Sequence, residues 1–253
     1  MTAPTFQAYL IVLPLVFLGG FIDSIAGGGG LMTLPAYYLA GLPPDWAGGS
    51  NKVSALFGTA VATGKYVSKG HVDWRCGIAS LMGSVPGAAL GSWLLTVLPA
   101  QTVKTGVVLA LPLVAFFVIR KRDLAVARAL VPPRFTLPTS FLIGLLIGSY
   151  DGLVGPGTGT FLMLAYVSLL GMPALRASGT ARLVNLGSNV GSAITMIIAG
   201  RVLFALALPA AVFSILGNAL GASLAIKKGA PFIRALLLVV LGLLMIALIV
   251  EVL

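Results

Sequence analysis

Two cations, Lys52 and Arg182, stand inside otherwise apolar stretches of the chain, and two carboxylates, Asp23 and Asp151, each precede a run rich in glycine. A charge held in hydrocarbon is costly, so such residues are candidates for function before they are candidates for structure. A long basic side chain can also snorkel to a headgroup, which is the ordinary alternative. The glycine runs are Gly27-Gly28-Gly29-Gly30 and Gly155-Pro156-Gly157-Thr158-Gly159. Four near-consecutive glycines break a helix rather than pack it, and they let backbone approach a ligand closely. Each run opens onto a short apolar segment, so its N–H groups and dipole end suit an anion. The expected binding set is Gly28, Gly29, Gly30, Gly157, Thr158 and Gly159 from the loops. Gly29 and Gly157 are expected to need either a positive φ or contact with the ligand. Ser50 and Asn51 lie on the helix that carries Lys52, and Thr180, Asn185 and Asn189 on the helix that carries Arg182. Asn185, Ser188 and Asn189 recur at i, i+3, i+4 and so share a face. Together these predict a positive centre that hydrogen-bonds a small oxyanion. Interhelical hydrogen bonding is the alternative for the polar side chains.

Asp23 and Asp151 have two readings. Burial favours a protonated carboxyl, which could carry a coupling proton; a nearby cation favours the carboxylate, which could be structural glue. A catalytic set is hard to assemble. The chain has one histidine, His71, one cysteine, Cys76, and a single glutamate, Glu251, almost at its end. His71 reads as an interfacial loop residue rather than a ligand. One cysteine excludes an intrachain disulfide and a cysteine metal cluster. No nucleotide motif is present: Gly155, Gly157 and Gly159 have the wrong spacing, and Gly58 to Gly64-Lys65 has one residue too many and is followed by Tyr66. No cofactor or metal is expected.

The elements that must position these residues follow from composition. The 253 residues are 58% hydrophobic and only 9% charged, with a mean hydropathy of +1.08. A soluble domain carries roughly 25% charged residues, so lipid is the solvent that suits this surface. Apolar blocks fall at about 4–22, 76–103, 105–119, 135–150, 202–226 and 235–250. Several approach the ~20 residues that cross a bilayer. No Lys or Arg precedes Lys52, so the first block lacks the basic start of a secretory signal and reads as permanent. The formal net charge of +10 fits basic loops meeting anionic headgroups better than nucleic acid.

A shift of 130 residues aligns the chain with itself. Gly41-Leu42-Pro43 meets Gly171-Met172-Pro173, Lys52 meets Arg182, and Gly87 and Gly91 meet Gly217 and Gly221. Asp23 meets Asp151 with a slip of two. Residues 1–125 and 126–253 therefore read as two repeats within one membrane domain. Five segments are expected in each: 5–26, 30–43, 46–66, 74–98 and 101–120, then 137–154, 159–171, 175–199, 202–225 and 231–251. The second of each is too short to cross, since ~13 residues rise only ~20 Å. Each pair of opening segments should form a hairpin with its glycine tip inside the membrane, tolerated there only against protein or a wet cavity. Gly83, Gly87 and Gly91, with Gly217 and Gly221, have the spacing of close helix packing. If each half changes sides an odd number of times, twelve of the sixteen basic residues gather on one side, only Lys104 and Arg201 lie opposite, and Lys52 and Arg182 fall within helices. The predicted fold is therefore all-α and polytopic, with two inverted repeats whose interrupted hairpins meet near the midplane. Both termini would lie outside the cytoplasm. That arrangement is a transporter signature.

At these same residues the sequence resembles a known family. "GGFIDSIAGGGGLMTLPAYYLAGLPPDWAGGSNKVSALFGT" with "KGHVDW", and then "GSYDGLVGPGTGTFLMLAYV" with "SGTARLVNLGSNVG", are similar to the paired signatures of the TauE/SafE family of sulfite exporters. Ser50 stands where that family often has threonine, which keeps the hydroxyl. The resemblance implies a multi-pass transporter of the bacterial inner membrane that exports small sulfur-containing anions such as sulfite or organosulfonates. Taken with the residues, it predicts a secondary transporter with an anionic substrate, the bilayer as its partner and a proton as a possible coupling ion. A passive anion channel is the alternative, and an intramembrane enzyme a more distant one.

Overall fold

The computed structural model describes residues 4–99, 102, 129–233, 235, 236 and 239. Among them the only regular structure is helical. The first part of the chain forms α1 (Phe6–Ala26), α2 (Gly30–Leu39), α3 (Pro44–Ser68) and α4 (Trp74–Val97). After a 3-10 turn at Pro133–Phe135 come α5 (Thr136–Leu153), α6 (Thr158–Leu170), α7 (Ala174–Ile198) and α8 (Phe204–Lys228). These bounds lie within a few residues of those expected. The fifth expected segment of each half, 101–120 and 231–251, and the basic loop between the halves fall largely outside the described residues.

The lengths repeat in order: 21, 10, 25 and 24 residues, then 18, 13, 25 and 25. The packing is reciprocal as well. α1 lies along α8 and α5 lies along α4, so the first helix of each half packs on the fourth helix of the other. α3 packs on α8 and α7 on α4 in the same crossed sense, while α3 and α7 meet each other.

Small residues make these contacts close. Cβ atoms added at Gly83, Gly87 and Gly91 of α4 would strike the carbonyl oxygens of Phe141, Leu145 and Ser149 on α5. Gly144, Gly148 and Gly152 of α5 return the contact against Ser80, Ser84 and Ala88. Gly217 and Gly221 of α8 sit in the same way on the Phe17 and Phe21 carbonyls of α1. This is how helices associate in lipid, where apolar area alone gives no drive and backbone approach does. The packing role expected for these glycines is the one they have.

Outward positions are apolar: Leu10, Met82, Leu146 and Ile198 are all exposed. α1, α4 and α8 are long and apolar enough to cross a membrane. α3 and α7 are equally long but less apolar, because their buried faces are polar. α3 buries Ser50, Asn51, Lys52, Ser54 and Thr59; α7 buries Thr180, Arg182, Asn185, Ser188 and Asn189. Chemistry-bearing residues are thus drawn to the two helices that meet at the centre.

Candidate functional site

α1 and α2 are joined by the first glycine loop. Gly27 is left-handed at φ 80°, ψ 46°, and its N–H bonds back to the Asp23 carbonyl, closing α1. Only glycine takes this conformation without cost. α2 then begins at Gly30. Gly29 has ordinary helical angles, φ −58° and ψ −34°, so the expected need for a positive φ is not the reason for glycine there. A Cβ at Gly29 would strike the Gly19 carbonyl and the Asp23 side chain, so the reason is close approach. The second loop does contain positive φ, at Gly155 and at Gly157, where φ is 82°. α6 begins directly after it.

The two loops touch. The N–H of Thr160 donates to the Gly27 carbonyl at 2.9 Å, and its hydroxyl lies 2.8 Å from the Ala26 carbonyl and 2.6 Å from that of Gly27. Any Cβ on Gly27 would collide with the backbone of Gly159, and Gly30 lies against Pro156. The glycines therefore bring one hairpin tip onto the other as much as they expose backbone to a ligand.

Both aspartates are paired, and the pairs cross between the halves. Lys52 Nζ lies 2.7 Å from Asp151 Oδ1, with both side chains more than nine-tenths buried. Arg182 Nη1 bonds Asp23 Oδ2, where the guanidinium is fully buried and the carboxylate is 18% exposed. Of the two sequence readings for these aspartates, ion pairing is therefore the geometry present. The expected positive centre also changes. Two cations and two carboxylates sum to zero, so neither cation is idle.

The surroundings of the pairs differ. Asp151 also accepts from the Thr158 hydroxyl at 2.7 Å and the Ser188 hydroxyl at 2.6 Å. Asp23 accepts one further bond, from the Gly29 N–H at 3.3 Å. Arg182 is wedged under the second loop, where a Cβ on Gly159 would meet its guanidinium.

A cavity of about 50 Å³ open volume lies between the loops and α1, α3, α7 and α8. Of the expected site residues, it is lined by Gly29, Gly30, Asn51, Lys52, Thr158, Asn185 and Asn189, together with Asp23 and Asp151. Among the described residues Lys52 is the only cation in that lining. Gly28, Gly157, Gly159 and Arg182 are not part of it; they belong to the loop junction behind it. Ser50 and Thr180 face elsewhere. Ser50 Oγ accepts the Leu203 N–H at 3.0 Å and Thr180 Oγ1 accepts the Asp73 N–H at 2.9 Å, so each satisfies the backbone just ahead of a helix in the other half. His71 is in the loop between α3 and α4, as expected.

Several lining residues were missed from sequence, among them Gly155, Thr33, Ser54, Thr59, Ser214 and Asn218. Thr59 accepts from Asn189 Nδ2 at 3.2 Å. Ser214 and Asn218 had a legible signal. They stand at i and i+4 in the apolar block 202–226, two polar side chains on one face of a helix that also carries Gly217 and Gly221.

Comparison with known proteins fits this geometry. Residues 12–248 match the family model described as Sulfite exporter TauE/SafE. A "Probable membrane transporter protein ORF9" of a Sinorhizobium species is 39% identical over 236 residues, covering 92% of this chain and 88% of the relative. The "Probable membrane transporter protein YfcA" of Escherichia coli K12 is 33% identical, covering 93% and 90%. A "Probable membrane transporter protein" of Haemophilus influenzae is 34% identical, covering 88% and 87%. No solved structure gives a significant match. With the match extending over nearly the whole chain, and through both glycine loops and both ion pairs, this protein belongs to the TauE/SafE family and is a membrane transporter.

Proposed function

We propose that the protein is a secondary transporter that exports small sulfur-containing oxyanions, sulfite or organosulfonate-like, across the bacterial inner membrane by alternating access. The observation that carries this reading is the Lys52–Asp151 pair at the cavity wall. Among the described residues Lys52 is the only cation in the cavity lining, and Asp151 already occupies it. An anion must therefore displace the carboxylate or arrive when the carboxyl is protonated. A proton taken up by Asp151 releases Lys52, and the anion then takes the ammonium. The proton and the anion cross together. When the anion leaves and Asp151 loses its proton, the pair re-forms. The other charges near this exchange are Asp23, on the same cavity, and Arg182 behind it.

Size supports a small cargo. At roughly 10–15 Å³ per water-sized group, 50 Å³ of open volume suits an ion of a few non-hydrogen atoms. The crossed packing of the helices and the crossed ion pairs support two repeats, residues 1–125 and 126–253, related by a two-fold axis, and the one-sided distribution of basic residues favours an axis in the membrane plane. An isologous arrangement makes each contact twice in that way. With a pore of two inverted halves closing around a central site, a multi-pass carrier is the economical reading.

The test is flux. Proteoliposomes loaded with radiolabelled sulfite or a short alkylsulfonate should show saturable flux that responds to a pH gradient. Lys52→Ala should insert normally and lose that flux. Flux that rises linearly with concentration and ignores the gradient would make the protein a channel instead.

A further inference from the structure

We propose that the cargo binds as a monoanion carrying a hydrogen-bond donor of its own, which the buried amide oxygens of Asn218 and Asn51 accept. This deepens the function proposed above and rests on it. Asn218 is on α8 and 2% exposed; Asn51 is on α3 and 8% exposed; both line the cavity. The Oδ1 of each is buried without a donor. The orientation of the Asn218 amide is fixed by chemistry. Its Nδ2 donates to the Ser214 carbonyl at 3.0 Å, and a carbonyl can only accept, so Oδ1 is the end left over.

The site is built around that side chain. A Cβ on Gly20 would lie 2.7 Å from Asn218 Nδ2, and one on Gly58 would strike both Asn218 and Ser214. Two neighbouring helices thus give up side chains to admit a polar group whose acceptor is unmet. Such an acceptor is costly when buried unless a bound molecule supplies the donor. The other half has no equivalent. One repeat earlier the positions are Ser84 and Ala88, and Ser84 Oγ is satisfied by donating to the Val184 carbonyl at 3.1 Å. Among the described residues the buried amide oxygens without a donor are those of Asn51 and Asn218, one from each half, and both residues line the cavity.

Charge points to the same ligand. Lys52, Asp151, Arg182 and Asp23 sum to zero, and protonation of Asp151 leaves one positive charge. A monoanion neutralises it, whereas a dianion would leave an uncompensated negative charge out of water. The ligand that meets both demands is a hydrogen oxyanion, or a short anion bearing an amino or hydroxyl group. Its negative oxygens face Lys52 and its donor faces Asn218 and Asn51.

Sulfamate and methanesulfonate isolate the donor. Both are monoanions near neutrality with the same number of non-hydrogen atoms, and they differ in an amino group against a methyl. Their affinities would be measured calorimetrically on purified protein in nanodiscs. Sulfamate should bind about three- to tenfold tighter, the worth of one or two neutral hydrogen bonds. Asn218→Leu should bring the two ions to parity by weakening sulfamate, with methanesulfonate within about twofold of its parental affinity. Asn51→Leu should do so in part. The comparison in the parental protein needs no variant, so it decides even if Asn218→Leu folds poorly. Equal binding of both ions, with both lost in Lys52→Ala, would overturn the donor inference and leave the anion site standing. Absence of binding by either ion would overturn both.

Discussion

Lys52 with Asp151 and Arg182 with Asp23 occupy matching places in the two halves of the chain and different places in the molecule. The first pair faces the cavity, and its carboxylate is held by two hydroxyl groups as well as the ammonium. In the second pair the cation lies behind the loop junction, while the carboxylate alone looks into the cavity. Duplication supplies the same residue types twice, and loop composition then separates their duties. Thr158 and Ser188 surround Asp151, where the corresponding positions near Asp23 hold glycines, Gly30 and Gly58. Gly30 lines the cavity, and Gly58 makes room for the Ser214 and Asn218 side chains that line it. One pair is placed to exchange partners with a cargo; the other is placed to pin two hairpin tips together.

Substitution at the cations should break this symmetry most visibly. Arg182→Ala removes a fully buried guanidinium from beneath Gly159 and unpairs Asp23. A loss of about 3–5 kcal/mol is expected, seen as a marked fall in yield and thermal stability in detergent. Arg182→Met combined with Asp23→Leu should recover much of it, because no buried charge is then left alone. Lys52→Ala should behave differently: Asp151 keeps two hydroxyl donors and can take up a proton, so the protein folds while anion binding falls by roughly one to two decades. Similar thermal stability in both single variants would erase the distinction.

Next in size is the loop junction. Gly27→Ala imposes a left-handed angle on a β-carbon and drives it into Gly159. Gly30→Ala would meet the Pro156 Cα at 3.0 Å with no demand on φ. The first should cost about 2 kcal/mol or more and abolish transport; the second should cost clearly less, as measured by thermal melting beside flux.

A smaller effect sharpens the role of Asp151. Ser188→Ala removes one donor to its carboxylate. One bond fewer then holds the carboxylate in place, so anion affinity should shift by no more than about threefold while the maximal rate stays near parental, as read from the concentration dependence of flux. The smallest effects are expected at Ser50→Ala and Thr180→Val. Each leaves one backbone N–H without its acceptor, costing about 1 kcal/mol, with anion affinity unchanged. A tenfold loss of affinity in either variant would return that residue to the binding set.

Helix positions were legible because apolar blocks and glycine breaks are local signals, and the paired lysine and arginine marked the centre of the molecule. Where the cavity falls between the halves was not legible. That depends on Gly20 and Gly58 facing Asn218 across three helices, a contact that no spacing within one segment reveals. Ser50 and Thr180 misled for a related reason. Their hydroxyls are close to the cations in sequence, but a helix turns about 100° per residue, so Ser50 and Thr180, two residues from Lys52 and Arg182, face the opposite loops. From sequence the aspartates admit both pairing and proton coupling, and only the fold shows that each finds its ion-pair partner in the other half.

The central claim is that Asp151 competes with the anion for Lys52 and that Asp23 does not. The direct measurement is gradient-dependent flux and anion affinity on well-folded Asp151→Asn and Asp23→Asn protein in parallel. Asp151→Asn should bind the anion as tightly as the parent or more so, and its flux should no longer respond to the pH gradient; Asp23→Asn should remain gradient-sensitive. A folded Asp151→Asn protein that still responds fully to the gradient would contradict the account.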